Sequence, residues 1–166
     1  MPLIRGARTL RAAAVLVAAS LVAGASAAQP LIGTASVIDG DTLEIQGVRI
    51  RLHGIDAIEG RQTCTLPSGK SWRCGRDASF ALADRIGRAP VTCHPRDTDR
   101  YGRVVAVCEQ SGEDLNAWMV EQGWALAYRC YSKAYVKQEA RAAAAGRGIW
   151  ASEFQAPWDW RKGGRS

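Results

Sequence analysis

Three short runs in this sequence place acidic and basic side chains at spacings that packing alone does not require. The first contains Asp41, the second runs from Arg51 through Asp56 to Glu59, and the third ends at Arg103. Paired carboxylates can hold a hard cation such as Ca²⁺, a further carboxylate can act on water, and arginine forks can bind a phosphate. Together these groups are the components that metal-assisted hydrolysis of a phosphodiester requires.

The charge of such a substrate explains why these residue types belong together. A phosphodiester is already an anion, so hydroxide approaches it slowly, and the transition state adds charge to the phosphate oxygens. A cation between Asp41 and Asp56 would neutralise part of that charge and lower the pKa of a bound water. Arg51 and Arg103 offer permanently charged donors for the remaining oxygens. Glu59 is near enough to Asp56 in the chain to act in the same site as a base.

Three neighbouring side chains are candidates for substrate binding. Arg100 could hold a terminal phosphate, whereas Tyr101 and Tyr128 could stack on a base or hydrogen-bond to the substrate. Packing at the rim of the domain explains both tyrosines equally well.

Each run taken singly also has an ordinary structural explanation. Asp39-Gly40 is typical of a hairpin turn, and Asp56 with Glu59 could cap a short helical turn. Residues 98–103 could form a solvated hairpin loop. Their joint occurrence, at intervals that a small barrel would bring together, favours a functional site.

Periodicity and turn residues predict the elements that must position these groups. Strands are expected at 35–38, 42–45, 48–55, 91–94 and 103–108, and helices at 74–87, 114–123 and 132–146. This order is typical of an α+β protein with a mainly β core, a five-stranded OB-fold barrel with about three helices. The outer face of such barrels commonly binds oligonucleotides.

The third predicted strand supports this interpretation in detail. Val48, Ile50 and Leu52 alternate with Arg49 and Arg51. The apolar set can therefore fill the barrel while Arg51 projects from the outer, ligand-facing side. Any half-buried strand with a solvated face has the same pattern.

The two ends of the chain differ from its middle. Residues 1–28 carry arginines, then an apolar stretch and small residues, which predicts a secretory signal peptide. The apolar stretch falls short of the ~20 residues of a membrane-spanning helix. We therefore expect an exported monomer, periplasmic or extracellular, with no membrane association after cleavage. Residues 29–150 would form one OB-fold domain, followed by an irregular, Trp-rich basic tail at 151–166.

The net charge of +6 does not by itself indicate a nucleic-acid partner. Three arginines belong to the predicted signal and three basic residues to the last six positions, and the rest of the chain is balanced. An argument for an anionic partner therefore has to rest on where particular charges lie.

Five cysteines in an exported protein predict two disulfides and one remaining thiol. Cys64 and Cys74 bracket one loop, and Cys93 and Cys108 could face each other across two antiparallel strands. We predict these two pairs, with Cys130 reduced and buried as a small apolar residue. Zinc is the competing explanation, but the chain has no closely spaced cysteine pair.

The three runs together resemble the staphylococcal (micrococcal) nuclease family. The likeness spans about residues 35–150 and includes Val-Ile-Asp-Gly-Asp-Thr at 37–42 and Thr-Asp-Arg-Tyr-Gly-Arg at 98–103. It implies Ca²⁺-dependent cleavage of DNA and RNA on the 5′-oxygen side, which leaves 3′-phosphates. By the same likeness Glu59 would orient or deprotonate the attacking water, and Arg51 and Arg103 would clamp the phosphate.

The resemblance also implies a calcium site. Asp41 and Asp56 would bind the ion through their carboxylates, and the backbone carbonyl of Ala57 and waters would complete the shell. The founding family member has Thr-Pro where this chain has Ala57-Ile58. Alanine can supply the same carbonyl, but without proline the turn is less rigid.

Two other classes of function stay open. One is an OB-fold module that binds nucleic acid without cutting it, although the presence of Arg51, Glu59 and Arg103 argues against it. The other is an exported interaction domain in which the arginines form surface ion pairs.

Overall fold

The computed structural model describes residues 28–163. The predicted signal peptide, apart from Ala28, lies outside these residues. The strands are β1 (Leu31–Gly33), β2 (Ala35–Asp39), β3 (Thr42–Ile45), β4 (Val48–Leu52), β5 (Ile55–Ala57), β6 (Cys64–Thr65), β7 (Ser71–Trp72), β8 (Val91–Thr98), β9 (Val104–Gln110), β10 (Glu113–Asp114) and β11 (Ala125–Ala127). The helices are α1 (Cys74–Ile86), α2 (Leu115–Glu121), α3 (Val136–Ala144), a 3₁₀ helix (Gly148–Ala151) and α4 (Pro157–Gly163). Within residues 28–163 no helix combines the length and apolar character needed to cross a membrane.

One twisted sheet carries most of the fold. Its strand order is β1-β8-β9-β4-β3-β2, with β10 paired to β9. The β4–β9 pairing is parallel, whereas the meander from β2 to β4 and the β8–β9 hairpin are antiparallel. Four of the five predicted core strands and the first part of the third, in β4, thus lie in one sheet, and the predicted α+β class with a mainly β core is confirmed. The described residues contain four α-helices, where about three were predicted.

The core forms where the apolar faces of the strands meet α1 and α2. Along β4, Ile50 and Leu52 are fully buried while Arg49 is exposed, so the predicted alternation is confirmed. Leu82 of α1 and Met119 of α2 complete the same cluster. Burial of this continuous apolar surface is the main stabilising contribution to the sheet that carries the site.

The predicted third strand, 48–55, is interrupted. The chain turns at His53-Gly54, where Gly54 has a φ of 73°, and pairing resumes in β5 with β11. A Cβ at Gly54 would lie 3.1 Å from the Tyr135 ring, so both conformation and space require glycine. The buried Asn116 donates to the carbonyl of His53 at 2.9 Å and accepts from the amide of Cys108 at 3.1 Å. These two hydrogen bonds pair the carbonyl of His53 and the amide of Cys108, so neither group is left unpaired beside the interruption.

Two predicted segments near the C-terminus differ from the structure. The last predicted helix, 132–146, begins at Val136, and Ser132 instead accepts a hydrogen bond from the amide of Ala134 in the preceding turn. The tail predicted as irregular contains the helix α4, in which Pro157 is buried. Proline is favourable in the first turn of a helix because its missing N–H needs no partner there.

The structure contains both predicted disulfides, Cys64–Cys74 and Cys93–Cys108. Cys93 and Cys108 are direct partners in the β8–β9 register. Cys130 lies outside both disulfides, as predicted, but its expected burial is wrong, because the residue is exposed. It falls in the segment between β11 and α3, outside any strand or helix.

Candidate active site

A cleft of about 750 Å³ opens between the start of β3, the β4–β5 turn, the β8–β9 hairpin and α4. The predicted site residues that line it are Asp41, Arg51, Ala57, Glu59, Arg100, Tyr101, Arg103 and Tyr128. Asp56 lies beneath this surface and is fully buried. The structure therefore gathers the three sequence runs around one opening, and the buried carboxylate of Asp56 forms part of its floor through its contact with the lining residue Arg51.

The β2–β3 hairpin positions Asp41 against β5. Gly40 permits the approach, because a Cβ there would lie 2.8 Å from the Cβ of Ala57. The Asp41 carboxylate accepts hydrogen bonds from the amide of Ala57 at 3.3 Å and from the hydroxyl of Thr42 at 3.1 Å. The amide of Asp41 in turn donates to Asp39 at 3.1 Å, which fixes the tip of the hairpin.

Arg51 bridges the two buried aspartates. Its Nη2 lies 3.1 Å from Oδ2 of Asp41 and 2.8 Å from Oδ1 of Asp56. Because β3 and β4 pair in register with Thr42 opposite Arg51, the guanidinium projects toward the beginning of β3. The strand ladder thus fixes an Asp-Arg-Asp arrangement on the floor of the cleft.

Burial raises the pKa of Asp41 to about 7. Removal from water is the largest cause, and Arg51 opposes it, whereas the neighbouring charges of Asp39 and Asp56 add to the rise. The ionised form of Asp41 is therefore costly in this environment, and an additional nearby cation would favour it.

Arg103 is positioned by Asp99 across the β8–β9 turn. Its Nε donates to Oδ2 of Asp99 at 2.8 Å, while the amides of Tyr101 and Arg103 donate to Oδ1. Although desolvation acts in the opposite direction, these hydrogen bonds hold the pKa of Asp99 below its usual value. Nη1 of Arg103 lies 3.4 Å from the hydroxyl of Thr42, so the guanidinium faces the same floor. Sequence reasoning missed Asp99 as the positioning residue, although its location four residues before Arg103 is a usable signal.

The three candidate substrate-binding residues lie in two different environments. Arg100 donates to the hydroxyl of Tyr101 at 2.7 Å, and its guanidinium lies 4.8 Å from the centre of that ring. Tyr101 is 66% exposed, so it projects from the rim. Tyr128 is stacked on Trp158 of α4, with ring centres 5.7 Å apart and planes 17° from parallel. Tyr128 therefore packs against the helix that covers one side of the cleft.

Arg161, on α4, also lines the cleft, and sequence analysis missed it. Its guanidinium donates to both oxygens of Asp56, at 3.1 and 2.6 Å, and to Oε1 of Glu59 at 2.5 Å. This contact joins residues more than 100 positions apart, and the tail was expected to be irregular, so no local pattern indicated it.

The donor groups of the floor suit a hard cation. Among the described residues no three His, Cys, Asp or Glu side chains converge in the manner of a complete metal site. The floor nonetheless has two buried carboxylates, Asp41 and Asp56, and Ala57 lines the same cleft. Ca²⁺ accepts irregular shells of oxygen ligands. The guanidinium of Arg161 forms ion pairs with Asp56 and Glu59 at this floor.

A family model and several known proteins match most of this chain. A family model described as staphylococcal nuclease homologue matches residues 49–152. A succinoglycan biosynthesis protein, ExoI, of Rhizobium meliloti is 39% identical over 89% of this chain and 78% of its own length. Protein ParB of Escherichia coli is 37% identical over 92% of this chain and 90% of its own length. Micrococcal nuclease of Shigella flexneri is 32% identical over 78% of this chain and 79% of its own length.

These relatives share most of their length with this chain. The region matched by the family model contains β4 from Arg49 onward, β5, Glu59 and the β8–β9 hairpin. The match to this family also implies the OB fold that was predicted for the five-stranded core. The chain therefore belongs to the staphylococcal nuclease homologue family.

Proposed function

We propose that this protein is an exported, calcium-dependent nuclease that hydrolyses phosphodiester bonds of DNA and RNA and leaves 3′-phosphates. The observation that carries the proposal is the single cleft of about 750 Å³ that Asp41, Arg51, Glu59 and Arg103 line. The similarity to a micrococcal nuclease supports a nuclease activity of this kind.

The carboxylate floor would hold the ion. Asp41, Asp56 and the backbone carbonyl of Ala57 are the ligands in this proposal. Bound Ca²⁺ supplies charge neutralisation for the phosphate and a more acidic water. Mg²⁺ should serve poorly, because it requires a smaller and nearly octahedral shell.

The two arginines are suited to hold one phosphate between them. Thr42 is the register partner of Arg51, and its hydroxyl is 3.4 Å from Nη1 of Arg103. The two guanidinium groups therefore flank one residue and can donate to different oxygens of the same phosphate. Glu59, at the edge of the cleft, is the proposed base for the attacking water.

Two further features support export. Both disulfides are compatible with an oxidising compartment. Residues 1–28 have the sequence pattern of a secretory signal peptide. Periplasm and extracellular medium are both consistent with these features.

A non-catalytic nucleic-acid-binding module is the second candidate. The contact of Arg161 with Asp56 and Glu59 favours it, since both carboxylates are already neutralised by a side chain of the same protein. Such a module would use the arginines that line the cleft to bind nucleic acid without cleaving it.

Incubation with single-stranded DNA and RNA separates the two candidates. We expect cleavage with Ca²⁺, little with Mg²⁺ and none in excess chelator, and products whose 3′ ends release phosphate on phosphatase treatment. Full activity in chelator would contradict the calcium assignment. Binding without cleavage at any Ca²⁺ concentration would favour the module.

A further inference from the structure

The contact between α4 and the carboxylate floor has consequences for ion binding. Arg161 reaches both oxygens of Asp56 and one of Glu59, so one guanidinium bridges a proposed calcium ligand and the proposed base. Asp56 is fully buried, and its contacts on the cleft side come from Arg51 and Arg161. An ion that reaches Asp56 therefore has to meet one of these two guanidinium groups.

Arg51 and Arg161 differ in how strongly the surrounding structure restrains them. Arg51 lies on β4 inside the sheet and also contacts Asp41 at 3.1 Å, whereas Arg161 lies on a helix of seven residues. The Arg161 side chain is 34% exposed, so water can replace its contacts as it withdraws. Of the two, Arg161 is the group that can leave without disturbing the sheet.

The tail before α4 nevertheless keeps Arg161 close to the floor. Glu153 and Thr65 exchange two backbone hydrogen bonds, and the side chain of Gln62 donates to the carbonyl of Gln155 at 2.5 Å. Trp158 adds its stack on Tyr128. The guanidinium therefore remains at high local concentration beside the carboxylates even after it has been displaced.

A calcium ion and the Arg161 guanidinium compete for the same two oxygens of Asp56. Ca²⁺ binds carboxylate oxygens at about 2.3 to 2.6 Å, and the guanidinium nitrogens already lie 2.6 and 3.1 Å from the same two oxygens. Like charges at such separations repel, and most strongly beside the fully buried carboxylate of Asp56. An arginine guanidinium stays protonated in proteins, so the side chain does not escape this repulsion by losing its proton.

We propose that Arg161 is an internal competitor for the calcium site: it neutralises Asp56 and Glu59 in the resting protein and must withdraw when Ca²⁺ binds. This inference rests on the proposed function, because it takes the same carboxylates as the calcium ligand and the base. It gives the tail a role in setting the Ca²⁺ concentration at which the site fills.

Calorimetric titration of Ca²⁺ into the purified protein tests the inference without any activity measurement. Arg161→Gln removes the charge and keeps much of the side-chain volume, so it should bind Ca²⁺ about tenfold more tightly than wild type, since a charge-assisted contact no longer has to be broken. Arg161→Lys keeps a point charge without the two-pronged contact, and its affinity should lie between the two. Lys162→Gln is the matched control, because Lys162 lies on the same helix, is exposed and contacts Asp159 instead. Its affinity should equal that of wild type.

Thermal unfolding in chelator establishes that each variant is folded before titration. Equal or weaker Ca²⁺ binding by Arg161→Gln would overturn the inference while leaving the calcium assignment intact. If neither wild type nor Arg161→Gln bound Ca²⁺, the calcium assignment would fail as well. The two failures are therefore distinguishable.

Discussion

Different interactions hold the two sides of the cleft in place: the carboxylate floor with Asp41 and Asp56, and the helix α4 that covers part of it. Asp41 and Arg51 are fixed by the register of β3 on β4, inside a sheet with a continuous buried core. Arg161 depends on aromatic packing and a few hydrogen bonds of the tail, outside that sheet. One site thus combines charges fixed by the sheet with a charge held by the tail outside it. Perturbing each support separately should have different consequences.

The largest expected effect is on turnover. Arg103→Ala should lower single-turnover cleavage by roughly 10² or more, while affinity for uncut substrate falls much less, because the lost charge acts mainly in the transition state. Arg103→Lys should recover little of the rate. Arg49→Ala is a suitable control for the cleavage rate, since Arg49 is exposed on the same face of β4 but does not line the cleft. Wild-type rates in Arg103→Ala would show that this residue is not catalytic.

The two disulfides connect different parts of the fold. Cys93–Cys108 crosses the β8–β9 ladder, and Cys64–Cys74 joins the β6–β7 loop to α1. Replacing either pair by alanine should lower the free energy of unfolding by roughly 2 to 4 kcal/mol, because the unfolded chain is no longer constrained. Cys130→Ser should change stability little. Denaturant unfolding measures all three, and a large effect of Cys130→Ser would indicate a bond that the structure does not contain.

Glu59 is supported from behind by the first turn of α1. A Cβ at Gly75 would lie 1.7 Å from the carbonyl oxygen of Glu59, so Gly75→Ala must move that backbone. We expect a loss of about 1 to 3 kcal/mol in stability, as is typical of overpacking, and a lower cleavage rate. Gly60→Ala is the control, because a Cβ there meets no atom within 4 Å. Equal rates and stabilities for the two variants would contradict this support.

The smallest expected effect comes from the aromatic contact of the tail. Trp158→Ala removes the stack on Tyr128 and should lower stability by roughly 1 kcal/mol. It should also increase Ca²⁺ affinity modestly, since Arg161 would be held less firmly near Asp56. Trp160→Ala, on the same helix, should leave Ca²⁺ affinity unchanged. If Trp158→Ala weakened Ca²⁺ binding, the tail would be holding the floor together rather than competing for it.

Sequence reasoning was most successful where short-range order decides position. Alternation along β4 predicted that Ile50 and Leu52 would be buried with Arg51 on the other face, and the predicted Cys93–Cys108 pairing follows from the hairpin register. These features depend on neighbours in the chain, so their signal is present in local patterns.

The remainder depended on contacts that no local pattern contains. The interruption at His53-Gly54 is stabilised by Asn116, which lies more than 60 residues away in the chain. Arg161 meets Asp56 because the tail folds back over β5, and its helix is too short to have a clear periodic signal. Such long-range contacts are decided by packing, which overrides local propensity.

The turn at His53-Gly54 also has a consequence for how this gene can change. Arg51 and Asp56 meet because one glycine in a left-handed conformation redirects the chain between two short strands. Insertion or deletion of a single codon between these residues would carry the aspartate out of reach of its arginine, since one residue reverses the direction of a side chain on a strand. By contrast, the loop around Gly69 faces open space and can vary in length without such a penalty. Homologous genes should therefore vary in length around Gly69 but not between Arg51 and Asp56.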